Sequence, residues 1–276
     1  MNKVKAIVQI IVFLAIAITI SKLTYYLTGF DSLFEKLQNL YFVAFIILCI
    51  QLFYCLENLL LVFLFAKFTD GLTLSEVGIA FNKRSVKLFL IGTLFAVIAA
   101  IITWLAFLYI FDPYYAYIGK WLLTIFFIIV SIPVTFFQAT AEELIYRTWM
   151  LKKLGNTITP FAAVIAVGII FGGVHMFNPV YTWLSAINAG LLGIATSIAY
   201  FRTKSVWMSS GIHFGWNYFL GIVYLPFLFT ATYHGKTVYQ FIGAEATTVG
   251  CIAMVAICVA VYYFTRKKKI ITNRCS

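Results

Sequence analysis

Apolar runs long enough to cross a bilayer recur along the chain, separated by short polar stretches. They lie near residues 4–28, 41–66, 88–111, 121–145, 159–177, 182–201, 206–229 and 247–265. A helical span needs roughly 20 apolar residues, with a range of about 17–25, and each run falls in or near that range. Period-two alternation is absent, so the runs predict helices rather than barrel strands. There is no fixed-period repeat and no low-complexity linker. The longest polar stretch, Lys67 to Lys87, is short and carries Asp70-Gly71. The pattern predicts an all-α polytopic membrane protein of about eight transmembrane helices, with residues 1–276 forming a single transmembrane domain. The first run follows Met-Asn-Lys-Val-Lys, as a signal peptide would. No small-x-small cleavage site follows it and apolar character resumes at Leu23, so an uncleaved first helix is expected.

Composition sharpens the picture. Of the 276 residues, 63% are hydrophobic and 11% charged, against roughly 25% charged in soluble domains, and mean hydropathy is +0.99. A soluble enzyme, a disordered chain and a secreted disulfide scaffold are excluded, because too little polar side chain exists to cover a water-facing surface. The net charge of +11 does not mark a nucleic-acid binder, since the basic residues are scattered between apolar runs and define no basic face. They do orient the spans. If the N-terminus is on the cytoplasmic side, that side receives Lys3 and Lys5; Lys67, Lys83, Arg84 and Lys87; Arg147, Lys152 and Lys153; Arg202 and Lys204; and Arg266, Lys267, Lys268, Lys269 and Arg274. The other side receives only Lys36, Lys120 and Lys236. This asymmetry predicts an even number of spans with both termini cytoplasmic. The five cysteines show no metal-ligand spacing. Cys49, Cys55, Cys251 and Cys258 lie in apolar runs and read as small hydrophobes, so no disulfide framework is expected.

Charge within a span costs about 2.5–3.5 kcal/mol per residue on insertion scales, so the polar residues inside the runs need reasons. Lys22 can snorkel to an interface. Glu57-Asn58 reads as a helix–helix hydrogen-bonding pair. The fourth run ends Gln138-Ala-Thr-Ala-Glu142-Glu143-Leu-Ile-Tyr-Arg147. Glu143 and Arg147 are spaced i,i+4 and can pair on one face, while Glu142 points about 100° away. One carboxylate is thereby neutralised and the other left for chemistry. The competing reading is an interfacial charge cluster at a helix end. His175 follows Phe171-Gly172-Gly173-Val174, where the glycines permit close backbone approach. His213 and Asn217, again i,i+4, share a face of the seventh run. His234 lies in a polar loop and reads as a surface residue. Two His, an Asn and a carboxylate pair on three different spans form a candidate site.

Glu-Glu-x3-Arg, then Phe-x3-His, then His-x3-Asn, in that order on consecutive late spans, resembles the CPBP family of CAAX-protease and bacteriocin-processing proteins. These Abi-type intramembrane proteases include the Rce1-type enzymes. The motif-bearing core covers about residues 121–229. The resemblance implies an intramembrane endopeptidase in which Glu142 is the general base activating water, helped by His175. It makes His213 and Asn217 the donors to the tetrahedral oxyanion, and Glu143 with Arg147 the structural pair that orients Glu142. A carboxylate in a water-poor cavity suits base catalysis, and oxyanion donors gain strength where water is excluded. No Gly-x-Ser-x-Gly elbow competes.

If zinc is used, Glu142, His175 and His213 would be its three ligands. His-Glu-x2-His is absent, and Asn217 suits hydrogen bonding better than zinc, so a metal-free glutamate mechanism is expected and no cofactor. One geometric difficulty stands. His175 lies ~24 Å along its span from the cytoplasmic end, and His213 only ~12 Å along its own, at 1.5 Å per residue. The expected partners are the lipid bilayer and a peptide or lipidated protein substrate. That substrate would be a prenylated C-terminus or a bacteriocin-type peptide. The Ile-, Phe- and Lys-rich composition points to a bacterial cell membrane. Two rival functions remain at this level: a proton-coupled small-solute transporter using Glu57, Glu142, Glu143 and the histidines as a relay, and a non-catalytic scaffold or immunity protein keeping the same fold.

Overall fold

The computed structural model describes residues 3–28, 40–72, 81–177, 182–223, 229–233, 236–237 and 245–264. His234 lies outside the described residues, as does the basic stretch from Arg266 on. Among the described residues eight helices carry the chain: α1 (Lys3–Thr28), α2 (Leu40–Asp70), α3 (Lys83–Phe111), α4 (Trp121–Gly155), α5 (Pro160–His175), α6 (Trp183–Thr203), α7 (Val206–Val223) and α8 (Glu245–Phe264). Five are long and apolar enough to cross a membrane: Lys3–Thr24, Leu48–Asp70, α3, α4 and α6. Pro160–His175 and Val249–Tyr263 are apolar but shorter. The outer faces are as apolar as the interior. Leu90, Leu94, Ile98, Ile102 and Leu105 of α3, and Val4, Ile7 and Ile11 of α1, all point outward, which a lipid-facing surface allows and a water-facing one does not.

Local signals start and stop these helices where the chain must turn. Asn82, Thr159 and Thr182 cap α3, α5 and α6, each side chain accepting from the backbone N–H three residues on, and Pro160 occupies the first turn of α5. Lys204 takes a left-handed conformation (φ 55°) just after α6, which lets Lys204 and Ser205 alone join α6 to α7. Asp112 (φ 43°) closes α3 in the same way.

Small residues set the distances between helices. A Cβ at Gly168 or Gly172 of α5 would come within 2.5 Å of α6 atoms, the Ile194 side chain for the first and the Ala186 carbonyl for the second. Gly173 faces open space, so of the adjacent glycines it is Gly172 that serves packing. On α7, a Cβ at Gly211 would lie 2.2 Å from the Phe89 carbonyl of α3, and one at Gly215 would lie 2.5 Å from that of Thr93. Both pairs are the small-xxx-small contacts by which membrane helices bring their backbones together. Around these two units, α4 packs on α2 and α7, and α8 packs on α6.

The structure corrects the sequence reading in several places. The fourth run does not end near 145. The helix continues to Gly155, with Leu144–Leu151 wound as a π-helix, because Arg147 finds its counter-charge inside the protein rather than at the membrane surface. Arg147 and Lys153 are 0% and 4% exposed, so neither is a loop charge, and neither reports on orientation. In the seventh run the described helix spans Val206–Val223, and Phe229–Tyr233 is a strand. This strand (β2) pairs antiparallel with Tyr114–Tyr117 (β1) and Lys236–Thr237 (β3) in a three-stranded sheet, order β1-β2-β3. Short apolar segments of this kind cannot be told from span ends by hydropathy alone.

Candidate active site

The site is built on α4, α5 and α7, with α2 and α6 behind it. Pro133 of α4 sits two and a half turns before Glu142 and removes one backbone donor. Near this break the Tyr218 hydroxyl of α7 donates to the Ile128 carbonyl (3.0 Å), tying α4 to the helix that carries His213. The π-helix begins at Leu144, directly after the carboxylate pair. Such wide turns recur at functional sites.

Glu143 and Arg147 form a 2.9 Å ion pair with both side chains fully buried. The expected pairing is present, and the alternative of an interfacial cluster at a helix end is overturned. Arg147 Nε and Nη2 both donate to Thr196 Oγ1 of α6. The Thr196 hydroxyl in turn donates to the Leu192 carbonyl (2.9 Å). Ser209 of α7 donates to the Thr196 carbonyl (2.9 Å). The guanidinium also lies over the Phe171 ring, 5.0 Å from its centroid, a cation–π contact in a desolvated place.

The second oxygen of Glu143 accepts from His213 Nδ1 at 2.9 Å. The carboxylate so fixes the tautomer of the imidazole and turns Nε2 toward Glu142, whose Oε2 lies 3.9 Å away. In the structure Glu143 therefore orients His213 directly, where the motif alone suggested that it orients Glu142. Glu142 is about a quarter exposed. Its Oε1 accepts from Gln138 Nε2 (3.4 Å), and its Oε2 is buried with no hydrogen-bond partner among the described residues.

His175 is the last residue of α5. Its Nδ1–H donates to the Phe171 carbonyl (2.7 Å), which makes Nε2 the acceptor nitrogen. The Phe171 ring lies 4.6 Å from the His175 ring and 5.8 Å from that of His213. One phenyl ring thus bridges the depth gap that straight helices starting at one level would leave. Asn217, a turn beyond His213, is half-buried. Among the described residues no three His, Cys, Asp or Glu side chains gather closely enough to hold a metal ion.

Residues 120–219 match the family model described as type II CAAX prenyl endopeptidase Rce1-like. The motif-bearing core is Rce1-like. All six motif residues, Glu142, Glu143, Arg147, His175, His213 and Asn217, fall inside the matched segment. The similarity is to a family of CAAX-type endopeptidases and covers residues 120–219. No curated protein and no solved structure matches the chain. Helices α1 to α3 and α8 lie outside the Rce1-like segment.

Sequence reasoning missed Gln138, Gln51 and Thr196. Gln138 precedes Glu142 by four residues and so shares its face, a signal that could have found it. Glu57, a candidate relay residue, accepts from Thr24 Oγ1 (2.8 Å) and joins α2 to α1. Lys22 lies 5.3 Å over the Phe177 ring.

Proposed function

We propose that this chain is a glutamate-dependent intramembrane endopeptidase that cleaves a membrane-held peptide or prenylated protein through an activated water. The observation that carries the reading is the state of Glu142. It is a carboxylate in an apolar helix, held by one oxygen, with the other oxygen unpartnered and facing an imidazole whose far nitrogen is already committed.

In this reading a water between Glu142 Oε2 and the histidines gives its proton to Glu142 as its oxygen attacks the scissile carbonyl. His175, with Nδ1–H held by its own helix, presents Nε2 as a second acceptor for that water. His213, when protonated on Nε2, donates to the oxyanion while its Nδ1 stays held by Glu143. Asn217 supplies the second donor from the same face of α7. The proton on Glu142 then passes to the leaving amine. Glu143, Arg147 and Thr196 move no proton; they hold His213 in position. No metal is assigned a role, and stoichiometric zinc together with loss of cleavage on chelation would replace this scheme.

The substrate class follows the family. A peptide end brought to the bilayer by lipid or by its own apolar segment can reach a site enclosed by helices. We further propose a bacterial cell membrane with both termini cytoplasmic, a reading supported by the asymmetry of the basic residues along the sequence. Reporter fusions at each terminus test the orientation. Cleavage assays on Glu142→Gln, His175→Ala and His213→Ala test the chemistry. Each is expected to lose most activity, and full proteolysis by all three would overturn the reading.

A further inference from the structure

We infer that Gln138 is a positioning residue for Glu142, and that Gln51, on a helix outside the family-matched segment, sets which way the Gln138 amide faces. This rests on Glu142 being the base, as proposed above. The geometry is a two-link chain. Gln51 Nε2 of α2 donates to Gln138 Oε1 at 2.8 Å, and Gln138 Nε2 donates to Glu142 Oε1 at 3.4 Å.

An amide side chain has one accepting and one donating end, and a half-turn exchanges them. If Gln138 were reversed, its carbonyl oxygen would face the Glu142 carboxylate, two acceptors against each other. The bond from Gln51 opposes this, because the reversed amide would set two NH2 groups against each other unless Gln51 turned with it. Glu142 then has one oxygen tethered and the other directed at His213 Nε2, 3.9 Å away. A carboxylate on a flexible side chain would otherwise lose that aim, and small misplacements of reacting groups cost up to about 10²-fold in rate. The 3.4 Å link is long for a resting hydrogen bond, as catalytic contacts often are before substrate binds. The arrangement also gives α2 a part in the reaction. The matched segment supplies the reacting groups, and a helix preceding it selects one of two amide orientations.

The test uses the full-length protein in detergent and in liposomes, with a quenched fluorogenic peptide ending in a prenylated CAAX sequence as probe. Gln138→Ala is expected to lower kcat about 10–100-fold with KM within about twofold, and Gln51→Ala to lower it about threefold. The double variant should be no slower than Gln138→Ala, because the Gln51 link acts only through Gln138. A readout independent of turnover is the carboxylate stretching band of Glu142, isolated as the infrared difference between wild type and Glu142→Gln. It should shift in both Gln138→Ala and Gln51→Ala. An unmoved band together with unchanged kcat in a folded Gln138→Ala protein overturns the inference. Additive losses in the double variant overturn the role of Gln51. Retained cleavage by Glu142→Gln defeats the function reading instead, and an unmoved or shifted band still decides whether the glutamines hold Glu142.

Discussion

Helix α4 carries two buried ion pairs, and they are finished differently. Near its end, Lys153 Nζ donates to Asp70 Oδ1 of α2 (2.9 Å) and to Gln9 Oε1 of α1 (2.6 Å). Asp70 Oδ2 accepts from Trp149 Nε1 (2.8 Å) and Thr69 Oγ1 (3.1 Å). Both carboxylate oxygens and the ammonium are occupied, and the ammonium also lies over the Trp149 ring. The cluster joins α1, α2 and α4 and leaves nothing over. A turn or two earlier, Glu143, Arg147 and His213 are just as buried, yet Glu142 Oε2, Arg147 Nη1, Thr140 Oγ1 and Ser210 Oγ on the same stretches of α4 and α7 have no hydrogen-bond partner among the described residues. Buried polar atoms are normally satisfied. A closed cluster fixes helices; an open one reserves hydrogen-bonding capacity for something that comes and goes.

The comparison can be broken by substitution. Arg147→Ala should have the largest effect: it leaves the fully buried Glu143 without its counter-charge, which costs about 3–5 kcal/mol. The expected outcome is a large drop in thermal unfolding temperature in detergent and loss of cleavage with it. Glu142→Gln should separate the two properties, lowering kcat by about 10²–10⁴-fold with the unfolding temperature unchanged. A large destabilisation would mean that the open cluster is structural after all. Lys153→Met should cost about 2–3 kcal/mol, less than Arg147→Ala because Asp70 is partly exposed, while the kcat of the folded fraction stays within about twofold. Adding Asp70→Leu should recover most of that loss, since replacing both members of a buried pair is often close to neutral. Thr196→Val should be mildest, about 1 kcal/mol, with a slight fall in activity as Arg147 loosens.

The sequence carried the elements that depend on local spacing. Hydropathy located the helices, and i,i+4 spacing paired Glu143 with Arg147 correctly. Of the motif residues, Arg147, His175 and His213 lie against Phe171. What the sequence could not carry were contacts between distant segments. The Glu143–His213 bond joins residues 70 apart, the Gln51–Gln138 bond residues 87 apart, and the Lys153–Asp70 pair residues 83 apart. Lys153 reads as a loop charge for the same reason, because its acid lies elsewhere in the chain; Arg147 has its acid one turn away, but the Thr196 and Phe171 contacts around it are remote. The strands at Tyr114–Tyr117 and Phe229–Tyr233 were hidden because each is short and its partner remote.

The glycines of α7 bear on where this protein could be cut and still work. Gly211 and Gly215 flank His213, and the groove they leave is filled by the backbone of α3 at Phe89 and Thr93. That helix precedes the family-matched segment. A fragment trimmed to residues 120–219 would keep every motif residue and yet expose the groove beside one of its histidines to lipid. The segment that matches the family and the unit that packs around His213 are therefore different lengths of chain.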